Sequence, residues 1–307
     1  MNEQFSRPKG FGEILDHTFR LSKNRFKDFF LIYLILVGPV YLLQGLIQLA
    51  AGTSFFRAAG NSGNWIEDII NSFNTETVAV SEPINMAAEI GIALIGLIAI
   101  ILLPVAEAAI LFALNHIRKN EEYTVKKVIK QAFSRFWPII GSSILFGLIV
   151  FGLIVVPMII IGIGGGVFGV FMEPSVGIIF AIIAFLAVAV GIAYLLTRWS
   201  FYFGAVVLEN DAPGISRSWT LTKKRTWVLM GLYIIFSLIV GIVSIAFELS
   251  FGALLGNSVV YGMIINLVSL FTGMVFAVGY GVMFLDLKTR HDGDDLNEMI
   301  DDYNAVQ

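Results

Sequence analysis

The chain has 307 residues, 57% of them hydrophobic and 14% charged, with a mean hydropathy of +0.83 and a formal charge of -3. So few charges cannot cover a water-facing surface, whereas a bilayer removes that demand over about 30 Å of thickness. An ordinary soluble domain is therefore excluded, and the lack of cysteine excludes disulfides, thiolate metal sites and iron–sulfur clusters.

In chain order, residues 1–28 read as an amphipathic amino-terminal segment rather than a secretory peptide, because no cleavage motif follows the first apolar run. That run, Phe29 to Ala51, is 23 consecutive uncharged residues, long enough for a first transmembrane helix. A second helix is expected within Met86 to Ile117, interrupted by Glu89 and Glu107 with Pro104 between them. A third runs from Phe136 to Ile161, and Gly162, Gly164, Gly165 and Gly166 then read as a flexible exit to a loop at Glu173 and Pro174. Val176 to Thr197 supplies a fourth. The apolar stretch Trp199 to Leu208 lies beyond it, with Arg198 snorkelling toward phosphate and Trp199 and Tyr202 in an interface belt. Thr226 to Phe247 and Val259 to Leu285 give the fifth and sixth helices, joined by a turn at Asn257 and Ser258. Residues 286–307 read as an acidic tail. The expected fold is an all-α polytopic helical bundle in one membrane domain spanning residues 1–307.

Charge placement orients the bundle. With six crossings, 19 of the 20 Lys and Arg residues fall on one side and only Arg57 on the other. The positive-inside rule makes that side cytoplasmic, together with both termini. Removing one crossing would destroy the alternation. The same segments suggest three parallel repeats of an amphipathic helix followed by a helical hairpin. FRLSKNRF (Phe19 to Phe26) matches WTLTKKRT (Trp219 to Thr226) at Leu21 and Leu221, Lys23 and Lys223, and Arg25 and Arg225, with a weaker version in AFSRFWP from Ala132 to Pro138. Phe11, Ile14, Leu15, Thr18, Phe19 and Ser22 form an apolar stripe at helical spacing, as do Val125, Val128, Ile129, Ala132, Phe133 and Phe136. Their cationic opposite faces suit the anionic headgroups of membrane lipids.

Few residues suggest chemistry. Glu107, Glu248 and Asn266 are the candidates for a ligand or ion route, since intramembrane polar groups require partners. No catalytic constellation assembles, and His17, His116 and His291 show no metal-ligand spacing. Neither a cofactor nor a metal is implied. The acidic residues of the tail do not make an EF-hand, and the basic clusters all abut membrane helices, so no nucleic acid is expected. The segment Gly214 to Arg225 is expected to form an interface elbow that orients the fourth and fifth helices. Its residues are Glu209, Arg217, Ser218, Trp219, Lys223, Lys224 and Arg225, with Ser216 or Ser218 capping its start and Arg217 pairing with Glu209, Asp211 or a lipid phosphate.

FGEILDHTFRLSKNRFKDFF near the amino terminus, VVLENDAPGISRSWTLTKKRTWVLMGLYIIF in the centre and FLDLKTRHDGDDL near the end carry a resemblance over nearly the whole chain. It is to the membrane domain associated with some glycerophosphoryl diester phosphodiesterases and with related stand-alone bacterial proteins. Its most specific positions are Glu209, Gly214, Ser216, Arg217, Ser218, Trp219, Leu221 and Thr222, then Asp286, Arg290, Gly293, Asp295 and Leu296. The soluble barrel that carries hydrolysis in the fused enzymes, about 250 residues in such folds, is not among these 307 residues. No catalytic residue is therefore carried over. The helical bundle, its cytoplasmic amphipathic segments and the lack of an assembled catalytic constellation together lead to the expectation of a non-enzymatic bacterial protein of the cell membrane that assists an envelope, lipid or export process, with a membrane-protein or cytoplasmic partner. The alternatives are a transporter or permease component for a small or amphiphilic solute, and a self-contained membrane lipid enzyme.

Overall fold

The computed structural model describes residues 5, 7–56, 86–171, 174–256 and 258–305, with residues 292–305 as backbone. Arg57, Glu173 and Asn257 lie outside the described residues, as do the side chains of the acidic ending. Among the described residues there is no β-strand.

Helix α1 (Phe11–Asn24) begins where the Glu13 carboxylate accepts from the Gly10 N–H at 2.8 Å, one half of a capping box. Next come α2 (Phe26–Leu36) and α3 (Gly38–Ala50), which meet at a bend of 48°. The single straight helix expected over Phe29 to Ala51 is thus broken. Pro39 has no N–H to donate and its ring excludes the carbonyl four residues back, so α3 restarts with Pro39 in its first turn.

Helix α4 (Met86–Lys119) keeps Pro104 inside it, and α5 (Val125–Ser134) is capped by the Thr124 hydroxyl, which accepts from the Lys127 N–H at 3.3 Å. The long α6 (Phe136–Phe171) turns back through α7 (Pro174–Trp199). A short α8 (Tyr202–Gly204), a π-turn at Ala205–Glu209 and α9 (Ile215–Leu221) lead to α10 (Thr226–Leu255) and α11 (Val259–Ala305). Five helices are long and apolar enough to cross a membrane, and there are six if the bent α2 and α3 count as one span. The exposed faces of the two longest apolar runs carry Leu148, Phe151, Ile160, Ile183 and Leu186, as lipid contact demands.

One further expectation needs correction. The glycines after Ile161 do not release the chain into a loop: they stay inside α6, where a Cβ on Gly165 would touch Ala181 at 3.2 Å and the Gly177 carbonyl at 3.4 Å. A Cβ on Gly177 would in turn lie 2.5 Å from the Gly165 oxygen and 2.8 Å from the Gly169 nitrogen. These are small residues four apart on facing helices, which let two backbones approach where lipid offers no hydrophobic drive. At the ending, the α11 backbone continues helical past Leu285 to Ala305, through most of the stretch read as the acidic tail.

The chain divides into two compact units. The first comprises Met1–His17, Leu111–Ile234 and Tyr280–Gln307; the second comprises Thr18–Ile110 and Ile235–Gly279. Within the second, Gly45 admits Met263, Gly91 admits Ile47 and Gly279 admits the Phe236 ring, while the Tyr33 hydroxyl donates to the Gly273 carbonyl at 3.2 Å. Within the first, Gly281 accommodates Leu114, and Gly204 accommodates Phe284.

Candidate functional site

The elbow lies in the first unit, and it forms because α7 stops at Trp199, leaving helix-terminal carbonyls and amides to be satisfied by something other than the next turn. Ser218 supplies much of the answer. Its hydroxyl donates to the Arg198 carbonyl at 2.7 Å and accepts from the Phe201 N–H at 3.0 Å. The Tyr280 hydroxyl donates to the Ser200 carbonyl at 3.1 Å and accepts from the Gly204 N–H at 2.9 Å. Arg135, just before α6, donates to the Val206 and Val207 carbonyls at 2.7 and 3.1 Å, the acceptors left open by the π-turn. Side chains from α9, α11 and the start of α6 therefore replace the missing helical bonds.

Beyond the π-turn the chain reverses through Asn210 and Gly214, both at positive φ (63° and 74°), with a cis Ala212–Pro213 peptide between them. A side chain at Gly214 would strike the Tyr202 carbonyl, so the reversal needs glycine for space as well as conformation. Gly214 is also the residue before α9, and no side chain caps that helix. The expected capping by Ser216 or Ser218 is thus not found: Ser218 sits on the second turn of α9, buried, and serves the end of α7 instead.

Two carboxylates organise the charge. Glu209 accepts from Arg217 Nε at 2.7 Å and Nη2 at 3.3 Å, a bidentate pair, and from Lys288 Nζ at 2.8 Å. Asp286, whose side chain is 3% exposed, accepts from the Lys9 N–H at 2.6 Å and from Arg290 Nε at 2.9 Å, with Arg225 Nη1 at 3.4 Å. Arg290 also donates to the Lys9 carbonyl at 2.6 Å, which ties the amino-terminal strand of chain to α11. Burial draws the Arg225 guanidinium below its ordinary range, aided by Arg290 and opposed by Asp286. Each acid is flanked by two cations, so each cluster carries a surplus positive charge.

At the rim, the Arg198 guanidinium stacks 3.7 Å from the Trp219 ring centroid and donates to the Trp219 carbonyl at 2.7 Å. Trp199 lies 6.1 Å from the same indole, which is 40% exposed.

The structure thus brings together Glu209, Arg217, Ser218, Trp219 and Arg225, while the side chains of Lys223 and Lys224 point outward, exposed. Lys9, Arg135 and Lys288 are structural members of the site that the sequence reading missed, while Asp286 and Arg290 entered it only as positions of the resemblance. The Asp286 to Arg290 spacing of four was the available signal, since a helix places such residues on one face.

The other candidates lie in the second unit. Glu107 is half-buried within α4 and makes no ion pair among the described residues. Asn266 donates to Gln44 at 3.5 Å, and Glu248 is exposed on α10. No hydrogen bond joins these three, and no group of acids and histidines suited to a metal occurs among the described residues.

Compared with known protein families, with characterised proteins and with solved structures, the chain has no match. What the fold defines is a multi-pass helical membrane protein.

Proposed function

We propose that this chain is a non-enzymatic protein of a bacterial cell membrane that assists an envelope, lipid or export process, its elbow seated at the cytoplasmic headgroup layer. One observation carries the reading: the polar side chains of the elbow are used to close backbone ends and to pair with one another, rather than converging on an open cleft. Such a site holds helices in place. Its surplus cations, with Lys223 and Lys224 exposed beside Trp219, match an anionic lipid surface. The resemblance to phosphodiesterase-associated membrane domains supports this role, because Glu209, Arg217, Asp286 and Arg290 belong to its most specific positions. An amphipathic or short helix precedes α2, α6 and α10, which agrees with a threefold parallel repeat. The test is a turnover assay of the purified protein with glycerophosphodiesters and phospholipids, with and without Mg²⁺. No turnover is expected. Robust hydrolysis that disappears when Glu209 or Asp286 is replaced would overturn the proposal.

A transporter is the second reading, favoured by Glu107 alone, a half-buried acid without an ion pair among the described residues. Proteoliposomes screened for solute flux with and without an ion gradient test it. On this reading Glu107→Gln alters a flux without preventing insertion, and an unchanged flux removes the residue from the route.

A further inference from the structure

The second unit contains a half-open groove of about 560 Å³, within the range of roughly 300–1,000 Å³ typical of sites that enclose a small molecule. Its wall is apolar: Phe19 and Phe26 face Val240 and Val243 of α10 and Phe271 of α11. Three polar residues line it. The Thr272 hydroxyl is satisfied, donating to the Val268 carbonyl at 3.0 Å. Ser22 is not: it is 5% exposed, and its hydroxyl has no hydrogen-bond partner among the described residues. A buried hydroxyl left unpaired is destabilising and marks a place where a ligand oxygen is missing. Lys23, its neighbour, is exposed and makes no ion pair among the described residues.

Helical spacing explains why these groups share one place. Phe19, Ser22 and Lys23 lie three and four residues apart on α1, so they share one side of that helix, and Phe26 opens α2 just beyond its end. An apolar wall with one unpaired cation and one orphan donor complements an anionic amphiphile. A neutral apolar guest would leave both polar groups unused.

We infer that this groove binds an anionic phospholipid, one acyl chain lying against Phe19, Phe26, Val240 and Phe271. The Lys23 ammonium holds the phosphate and the Ser22 hydroxyl donates to a phosphate or ester oxygen. The site rests on the membrane reading, but not on the assisting role proposed for the elbow. Single Lys contacts with anionic headgroups are worth a factor of about five in binding.

The experiment is native mass spectrometry of delipidated full-length protein in detergent, titrated with phosphatidylglycerol and with phosphatidylcholine carrying the same chains. Wild type should prefer phosphatidylglycerol about fivefold. Lys23→Gln should bind both lipids at the phosphatidylcholine level, and Val243→Trp, which fills the groove, should lose both. Ser22→Ala removes the donor without adding bulk, so it should weaken both lipids even if the tryptophan variant fails to fold. Equal binding of the two lipids by wild type overturns the site, as does a preference that survives Lys23→Gln or binding unchanged in Ser22→Ala. Displacement of the lipid by water-soluble glycerol phosphate would assign the contact to a free phosphate group and also overturn it. Insertion into vesicles, measured separately, distinguishes failure of this site from failure of the membrane reading.

Discussion

Asp286 shows how one residue can hold several segments at once. Its carboxylate receives the Lys9 N–H, Arg290 and Arg225, three donors from three parts of the sequence, and almost none of it is exposed. Replacement by Ala would strand two guanidinium groups, each partly buried, without their counter-charge. Removing one partner of a buried ion pair costs about 3–5 kcal/mol, and the partial exposure of both arginines places this case at the low end, about 3 kcal/mol. Asp286→Ala should therefore lower the unfolding midpoint in detergent far more than Lys223→Ala, whose side chain lies in solvent. Equal shifts for the two variants would contradict the assigned role. Glu13 offers a pH-dependent counterpart. Its carboxyl titrates below its ordinary value of 4.5, chiefly because it accepts the Gly10 N–H and secondarily because Arg7 stands beside it. A lowered folded value means that the stabilisation is present above 4.5 and is lost as pH falls through the lower, folded value. Hydrogen exchange of the first amides of α1 should accelerate in that acid window, and Glu13→Gln should abolish the acceleration. Since the backbone bond is the larger cause, Arg7→Ala should raise the carboxyl titration midpoint only part of the way back.

Among the elements, the α6–α7 hairpin shows where sequence reading stops. The charge-free runs that became α6 and α7 were legible, because length and hydropathy are enough to identify a span. The meaning of Gly165, Gly169 and Gly177 was not, since glycine serves both as a breaker and as the smallest packing surface. Only the facing residues decide between these roles. Because Gly177 would meet backbone atoms, which cannot rotate aside, Gly177→Ala must separate the two helices. Overpacking of this kind costs about 1–3 kcal/mol. Gly166→Ala, where a Cβ meets nothing within 4 Å, is the control and should be neutral or mildly stabilising. A crosslink between cysteines placed on α6 and α7 reads the separation directly: its yield should fall with Gly177→Ala and hold with Gly166→Ala. The elbow was legible in outline for a different reason. Glu209 and Arg217 flank a Pro-Gly reversal, so Glu209 was within local reach as one of three partners open to Arg217, whereas Arg135 and Lys9 come from distant segments and carry no local sign of their targets.

For the whole molecule, helices give the number of crossings and charge gives their direction. The described residues supply five apolar helices, or six with α2 and α3 taken as one span, and the two counts predict different sidedness for the elbow relative to the amino terminus. With α2 and α3 crossing together, four crossings separate residues 1–28 from Gly214 to Arg225, and both lie on the same side. If the bent pair dipped in and returned, three crossings would separate them and put them on opposite sides, which the Asp286 carboxylate, receiving both the Lys9 N–H and Arg225, does not allow. The distribution of Lys and Arg also favours the first, since the second would move Arg7, Lys9, Arg20, Lys23, Arg25 and Lys27 to the side opposite the elbow cations. The chain has no native cysteine, so single substitutions at Lys27, Lys119, Lys223 and Lys288 can be labelled in intact cells with a membrane-impermeant maleimide without background. All four should resist labelling from outside and react once the cells are opened. External labelling at Lys27 alone would mean that α2 and α3 re-enter, leaving five spans. External labelling at Lys223 would place the elbow outside and remove the cytoplasmic headgroup layer from its proposed role.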